Sequence, residues 1–232
     1  MSRLTVYDWP TVDGLPGGGT PHLHLTCGEG YVVTAGRGAV QTLTTSGFQE
    51  TPLAPGTVAR FTPGTIHRLV NDGGQDGGME ITVVMQNRGL PEAGDAVLTP
   101  PQDLLADPGT YADAIRVPAD GTETEQAQAV RTRRDLATRR FHELREATEN
   151  GDPEPPTAFQ RAAADLVRPR PDAWERQWRE GAHGAAEATG AQLDALHGKD
   201  DAHPTAARVF ATGPAASGRF GTCGRPAVRP GV

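Results

Sequence analysis

TPHLHLTCGEGYVVTAGRG (Thr20–Gly38) and PGTVARFTPGTIHRLVN (Pro55–Asn71) hold three of the seven histidines in a chain of 232 residues. Successive side chains of a strand point to opposite faces, so His22 and His24 share a face and Leu23 takes the other. Glu29 follows between Gly28 and Gly30, where glycine lets the backbone approach closely. His67 arrives from a distant strand. Two imidazoles, a carboxylate and a third imidazole suit one divalent transition metal. Fe, Mn, Ni, Co, Zn and Cu all accept this donor set, and spacing does not choose among them.

The two stretches resemble the two sequence motifs of the cupin superfamily. The first motif is His-x-His, a short gap, Glu, six residues and Gly, and His22, His24, Glu29 and Gly36 fall at that spacing. The second ends in Pro-x-Gly, two residues, His, three residues and Asn. Gly56, Gly64, His67 and Asn71 match it, with the proline one place along at Pro63. The resemblance covers residues 1–98 and implies a jelly-roll β-barrel with His22, His24, Glu29 and His67 as metal ligands. Cupins include isomerases, dioxygenases, decarboxylases, storage proteins and sensors, so the fold leaves the activity open. The run from His67 to Asn71, with GGMEITVVMQNRGLPEAGDAV after it, is similar to mannose-6-phosphate-isomerase-type cupins, and Arg68 carries much of that similarity. It implies an isomerase or epimerase acting on a small polar substrate, a sugar or sugar phosphate. An iron-dependent dioxygenase is the alternative, and a non-catalytic ligand-binding cupin the third reading.

Around the ligands, alternation from Glu29 points Tyr31 and Val33 the same way. Glu29, Tyr31 and Arg60 are therefore the candidate catalytic residues: Tyr31 as proton donor or hydrogen-bond anchor, Arg60 as partner for an anionic group. An inward His67 sends Arg68 outward. Cys223 reads as a buried or idle thiol rather than a fifth ligand.

The rest of the chain divides by pattern. Strands are expected over residues 4–9, 22–27, 31–35, 39–43, 48–52, 57–61, 66–71 and 80–86, broken by Gly- and Pro-rich turns, as in a barrel or sandwich. NDGGQDGG (71–78) reads as a loop. Beyond Leu98 the pattern turns helical, over residues 100–106, 122–149, 156–167 and 171–196. The expected organisation is mainly β with an α extension: a cupin jelly roll over 1–98, a helical region over 99–197, and an irregular tail over 198–232 with Val209-Phe210 as its possible anchor. Trp174 and Trp178 lie one helical turn apart, and exposed together they suggest a homodimer.

Net charge of −7 argues against a nucleic-acid surface. Cys27 and Cys223 form no disulfide framework, and no signal-peptide or bilayer-length apolar run is present, so the expectation is a cytoplasmic protein without membrane or nucleic-acid partners.

Overall fold

The computed structural model describes residues 2–73, 78–87, 89–200, 202–211 and 220–228. The loop expected at 71–78 lies partly outside them. In chain order the strands are β1 (Ser2–Val6), β2 (Gly17–Gly18), β3 (His22–His24), β4 (Glu29–Ala35), β5 (Gly38–Thr44), β6 (Gly47–Leu53), β7 (Val58–Phe61), β8 (Ile66–Asn71), β9 (Glu80–Met85), β10 (Ala96–Leu98) and β11 (Gly224–Val228). The helices are α1 (Pro108–Ala114), α2 (Glu123–Glu149), α3 (Glu154–Val167), α4 (Pro171–Trp178), α5 (Gly184–His197) and α6 (Ala202–Thr205).

Every strand pair is antiparallel. One sheet runs β11-β1-β9-β4-β7, the other β10-β3-β8-β5-β6 with β2 added beside β8. Between the sheets lies an apolar core that includes Leu4, Val6, Val33, Val40, Leu69, Met79 and Ile81. The result is the expected jelly roll followed by helices.

The two sheets differ in what covers them. In β4, Glu29, Tyr31 and Val33 are buried and the residues between them are more exposed, as for a sheet with one wet face. In β8 every residue is buried, because helices cover the outer face. There Leu23, Leu43 and Ile66 meet Phe141, Leu144, Phe159, Ala163 and Trp174 in a second core. Helix α2 is polar overall, and its buried residues Val130, Arg134, Ala137, Thr138, Phe141 and Leu144 recur at helical spacing along one stripe. A capping box between Thr122 and Glu125 starts it.

Several expectations shift. Helix α1 was not anticipated, although Asp107 caps it and Pro108 opens it. Trp174 is buried, and its indole N–H donates to the Ala93 carbonyl at 3.3 Å. Only Trp178 keeps appreciable exposure, so an exposed tryptophan pair no longer supports a homodimer. Within the tail expected to be irregular, Gly224–Val228 forms β11 and pairs with β1 along its length. Pro226 is tolerated there because β11 is an edge strand. The expected anchor fails: Val209 and Phe210 are 96% and 74% exposed, whereas Phe220 lies against Tyr7 and Trp9.

Candidate metal centre

β3 projects His22 and His24 between the sheets, with Leu23 turned to the helices. β8 lies beside it, with His67 directly opposite His22. Glu29 opens β4 in the facing sheet. All four side chains are buried, and one ligand atom from each lies within 4.8 Å of the others. Their rings are close: His22 and His67 centroids are 4.2 Å apart, His22 and His24 5.2 Å.

Their outer nitrogens are already engaged. His22 Nδ1 meets the Thr20 carbonyl at 2.9 Å, His67 Nδ1 the Thr65 carbonyl at 3.0 Å, and His24 Nδ1 the Asp95 carboxylate at 3.1 Å. Each contact favours the tautomer with its proton on Nδ1, which leaves the Nε2 lone pair facing the cluster. Glu29 Oε2 approaches His67 Nε2 to 3.0 Å and His24 Nε2 to 3.4 Å. Yet among the described residues Glu29 Oε2 and His67 Nε2 are buried without a hydrogen-bond partner. Acceptors crowded this way need a cation or a shared proton between them. The residues therefore fit a divalent metal: three neutral imidazoles and one carboxylate.

With no cation between the four groups, the same geometry decides where a proton is held in its place. Burial disfavours the charged form of His22, and its imidazole neighbours His67 and His24 push the same way, so its pKa falls well below the ordinary value. Burial also works against charge on His24, but the Asp95 and Glu29 carboxylates outweigh it and raise the pKa to about 9. Glu29 resists the effect of burial through His24 and His67, and its pKa lies well below the usual carboxylate range.

The barrel is a jelly roll of the cupin type. No family model and no curated protein matches the sequence. Among solved structures, the capsular polysaccharide assembling protein CapF from Staphylococcus aureus is 22% identical over 36% of this chain and 24% of its own, with a TM-score of 0.31. A putative sugar phosphate isomerase from Acidithiobacillus ferrooxidans is 24% identical over 30% of this chain and 42% of its own, at a TM-score of 0.25. Recombinant oxalate oxidase in complex with glycolate is 21% identical over 49% of this chain and 57% of its own, at 0.32. This chain thus spans less than two thirds of each of them. What makes it a cupin barrel is its own strand order and the convergence of both motifs.

The other candidates separate. Tyr31 faces the cupin interior beside Glu29, its ring 5.1 Å from Phe61 and 6.3 Å from His67. Its hydroxyl is buried without a partner. Burial, reinforced by the Glu29 charge, raises its pKa and keeps it protonated. Arg60 is a correction. It lies on the outer face opposite Gly30, because its neighbour Phe61 is the residue of β7 that turns inward, 4.2 Å from His67. Arg68 does point away from the cluster, but into the helix layer. It is 1% exposed, bonded to Gln41 and Asp13, and lies over the Phe141 ring.

Two further residues neighbour the cluster, and the first escapes a reading of the sequence. Asp95 is fully buried behind His24. The signal was a carboxylate abutting the apolar run of β10, the strand that pairs with β3. Cys223 is brought from the tail to within 4.0 Å of His22, but at Nδ1, the nitrogen that also meets the Thr20 carbonyl.

Proposed function

We propose that this cupin binds one divalent transition metal through His22, His24, His67 and Glu29 and acts as an isomerase or epimerase on a small sugar. The observation that carries this reading is the set of buried, unpartnered polar atoms on Glu29, His67 and Tyr31. Unsatisfied groups in a barrel core cost stability and are kept where a ligand completes them. A divalent ion held there supplies Lewis acidity toward a substrate oxygen. Tyr31 remains protonated beside it and offers a proton or a hydrogen bond to a substrate oxygen. Phe61 walls the interior next to His67 and limits the size of what fits.

An uncharged polyol is favoured over a sugar phosphate, because Arg60 and Arg68 both point away from the cluster. Metal-loaded protein is to be incubated with aldoses, ketoses and their phosphates, with interconversion followed by NMR and oxygen by electrode. Interconversion without oxygen uptake supports the proposal. Oxygen consumption by iron-loaded protein with no isomerisation replaces it with the dioxygenase reading. Metal binding with neither reaction favours a ligand-binding protein.

A further inference from the structure

Asp95 is fully buried, and both carboxylate oxygens are committed. Oδ2 meets His24 Nδ1 at 3.1 Å. Oδ1 accepts from the amides of Leu25 and Thr26 at 3.1 and 2.8 Å and from the Thr26 hydroxyl at 2.8 Å. The Asp95 carbonyl accepts the Leu25 amide as well. Of the three histidines in the cluster, His24 alone leans on a carboxylate; His22 and His67 lean on carbonyls. His24 is also the last residue of β3, paired with Ala96 of β10, the residue after Asp95.

The turn that carries Asp95 is held from outside the barrel. Pro91–Asp95 forms one wide turn with Gly94 at φ 90°. Helix α4 and its N-cap residue Arg170 grip the two carbonyls before Asp95. Trp174 Nε1 donates to the Ala93 oxygen at 3.3 Å, and Arg170 Nη1 reaches the Ala93 and Gly94 oxygens at 3.3 and 3.2 Å. A Cβ on Gly94 would fall 1.7 Å from Arg170 Nη1, so the guanidinium fills the space a side chain would need. Trp174 is itself locked in the second core with Leu90 and Phe159.

We propose that Asp95 is a positioning residue of the metal centre and that α4 fixes its place, so the helical region tunes metal affinity from outside the barrel. The inference rests on the metal-binding reading above. A carboxylate behind a ligating imidazole fixes its tautomer and orientation and raises its basicity, and losing such a partner costs about 10–100-fold in metal affinity.

The test is titration with Co²⁺ alone, read by its absorption spectrum and by competition with a chelator, with melts in chelator as a control. Asp95→Asn keeps an oxygen for Leu25 and Thr26 but opposes the His24 Nδ1 proton. It should bind Co²⁺ about 10–100-fold more weakly, with an altered spectrum. Arg170→Gln alters an exposed side chain and should give a smaller loss with a shift of the same bands. The double variant should bind no more weakly than Asp95→Asn alone, since both act through one carboxylate. Wild-type affinity and spectrum in both single variants would overturn the proposal and leave the metal centre standing. Additive losses in the double variant would overturn the route through Asp95. Absence of Co²⁺ binding by the wild type would remove the metal reading, and this inference with it. Should Asp95→Asn fail to fold, unchanged Co²⁺ affinity and bands in Arg170→Gln still overturn the role of α4, and shifted bands support it.

Discussion

His22 and His67 stand directly opposite each other across the β3–β8 pair, so one register fixes two proposed ligands. A slip of one residue would turn His67 to the helices and bring Ile66 or Arg68 inward. His67→Ala should therefore lose metal affinity by more than the ~10–100-fold typical of supporting residues, while strand pairing persists. Calorimetric metal titration, with circular dichroism of the chelated protein, checks both halves. Unchanged affinity would remove His67 from the site.

Glu29→Gln should separate the two states of the protein. Without metal, His24 and His67 hold the Glu29 carboxylate ionised despite its burial, so losing that charge should lower the melting temperature of the chelated variant. With metal, the lost charge should weaken binding at least ~10-fold and shrink the rise in melting temperature that saturating metal confers. A surface carboxylate would change neither quantity.

Gly19→Ala should release Cys223. A Cβ on Gly19 would lie 2.7 Å from the Cys223 Cα and 2.9 Å from its Cβ, contacts that no rotamer change relieves. Cys27 and Cys223 are both buried, so the native protein should resist a thiol reagent. In Gly19→Ala, Cys223 should be labelled and Cys27 spared, as mass spectrometry of peptides would show. Equal protection of both thiols would contradict the close fit.

Acid should act partly through Asp13. Burial opposes its ionisation, but Arg68, Thr11 and His142 outweigh that and hold its pKa well below the usual range. A depressed folded-state pKa contributes stability above the unfolded value, about 4, and loses it as pH falls below that. Asp13→Asn leaves the buried Arg68 without its carboxylate and should cost about 2 kcal/mol near neutrality, the low side for such a loss because Asp13 retains some water contact. The gap to wild type should narrow as acid protonates Asp13 in the unfolded chain first. Urea melts at pH 7 and pH 3 measure it, and a constant gap would refute the assignment.

The clustering of His22, His24, Glu29 and His67 was legible because strand period and motif spacing agree: His22 and His24 differ by two, and Leu23 is apolar enough to face a second core. Arg60 was misplaced because Val58-Ala59-Arg60-Phe61 lacks a clean alternation. Either phase is plausible until Phe61 is seen against His67. β11 was hidden because GRPAV has weak strand propensity and is ordered by β1 rather than by itself. Asp95 was missed for a different reason: Pro91 and Gly94 mark a turn, but nothing local shows that the carboxylate at its end meets His24, which is distant in sequence. The helices were readable as helices, but not whether the barrel or a second subunit covers them. Trp174 is consumed within the chain by a carbonyl of the barrel.

β11 has a consequence for how the molecule is made. Tyr7 and Gly221 are hydrogen-bonded across 214 residues of chain. The free-energy cost of closing so long a loop rises only logarithmically, but contacts of this separation form slowly. The ribosome delivers His22, His24, Glu29 and His67 long before Cys223 emerges beside them. During synthesis the nascent barrel has its quartet but no covering from that side, so an ion can reach it before β11 docks on β1. In the folded protein Cys223 lies buried beside His22 and covers that side. Loading during translation and loading of the finished protein should thus differ in rate, even where the final occupancy is the same.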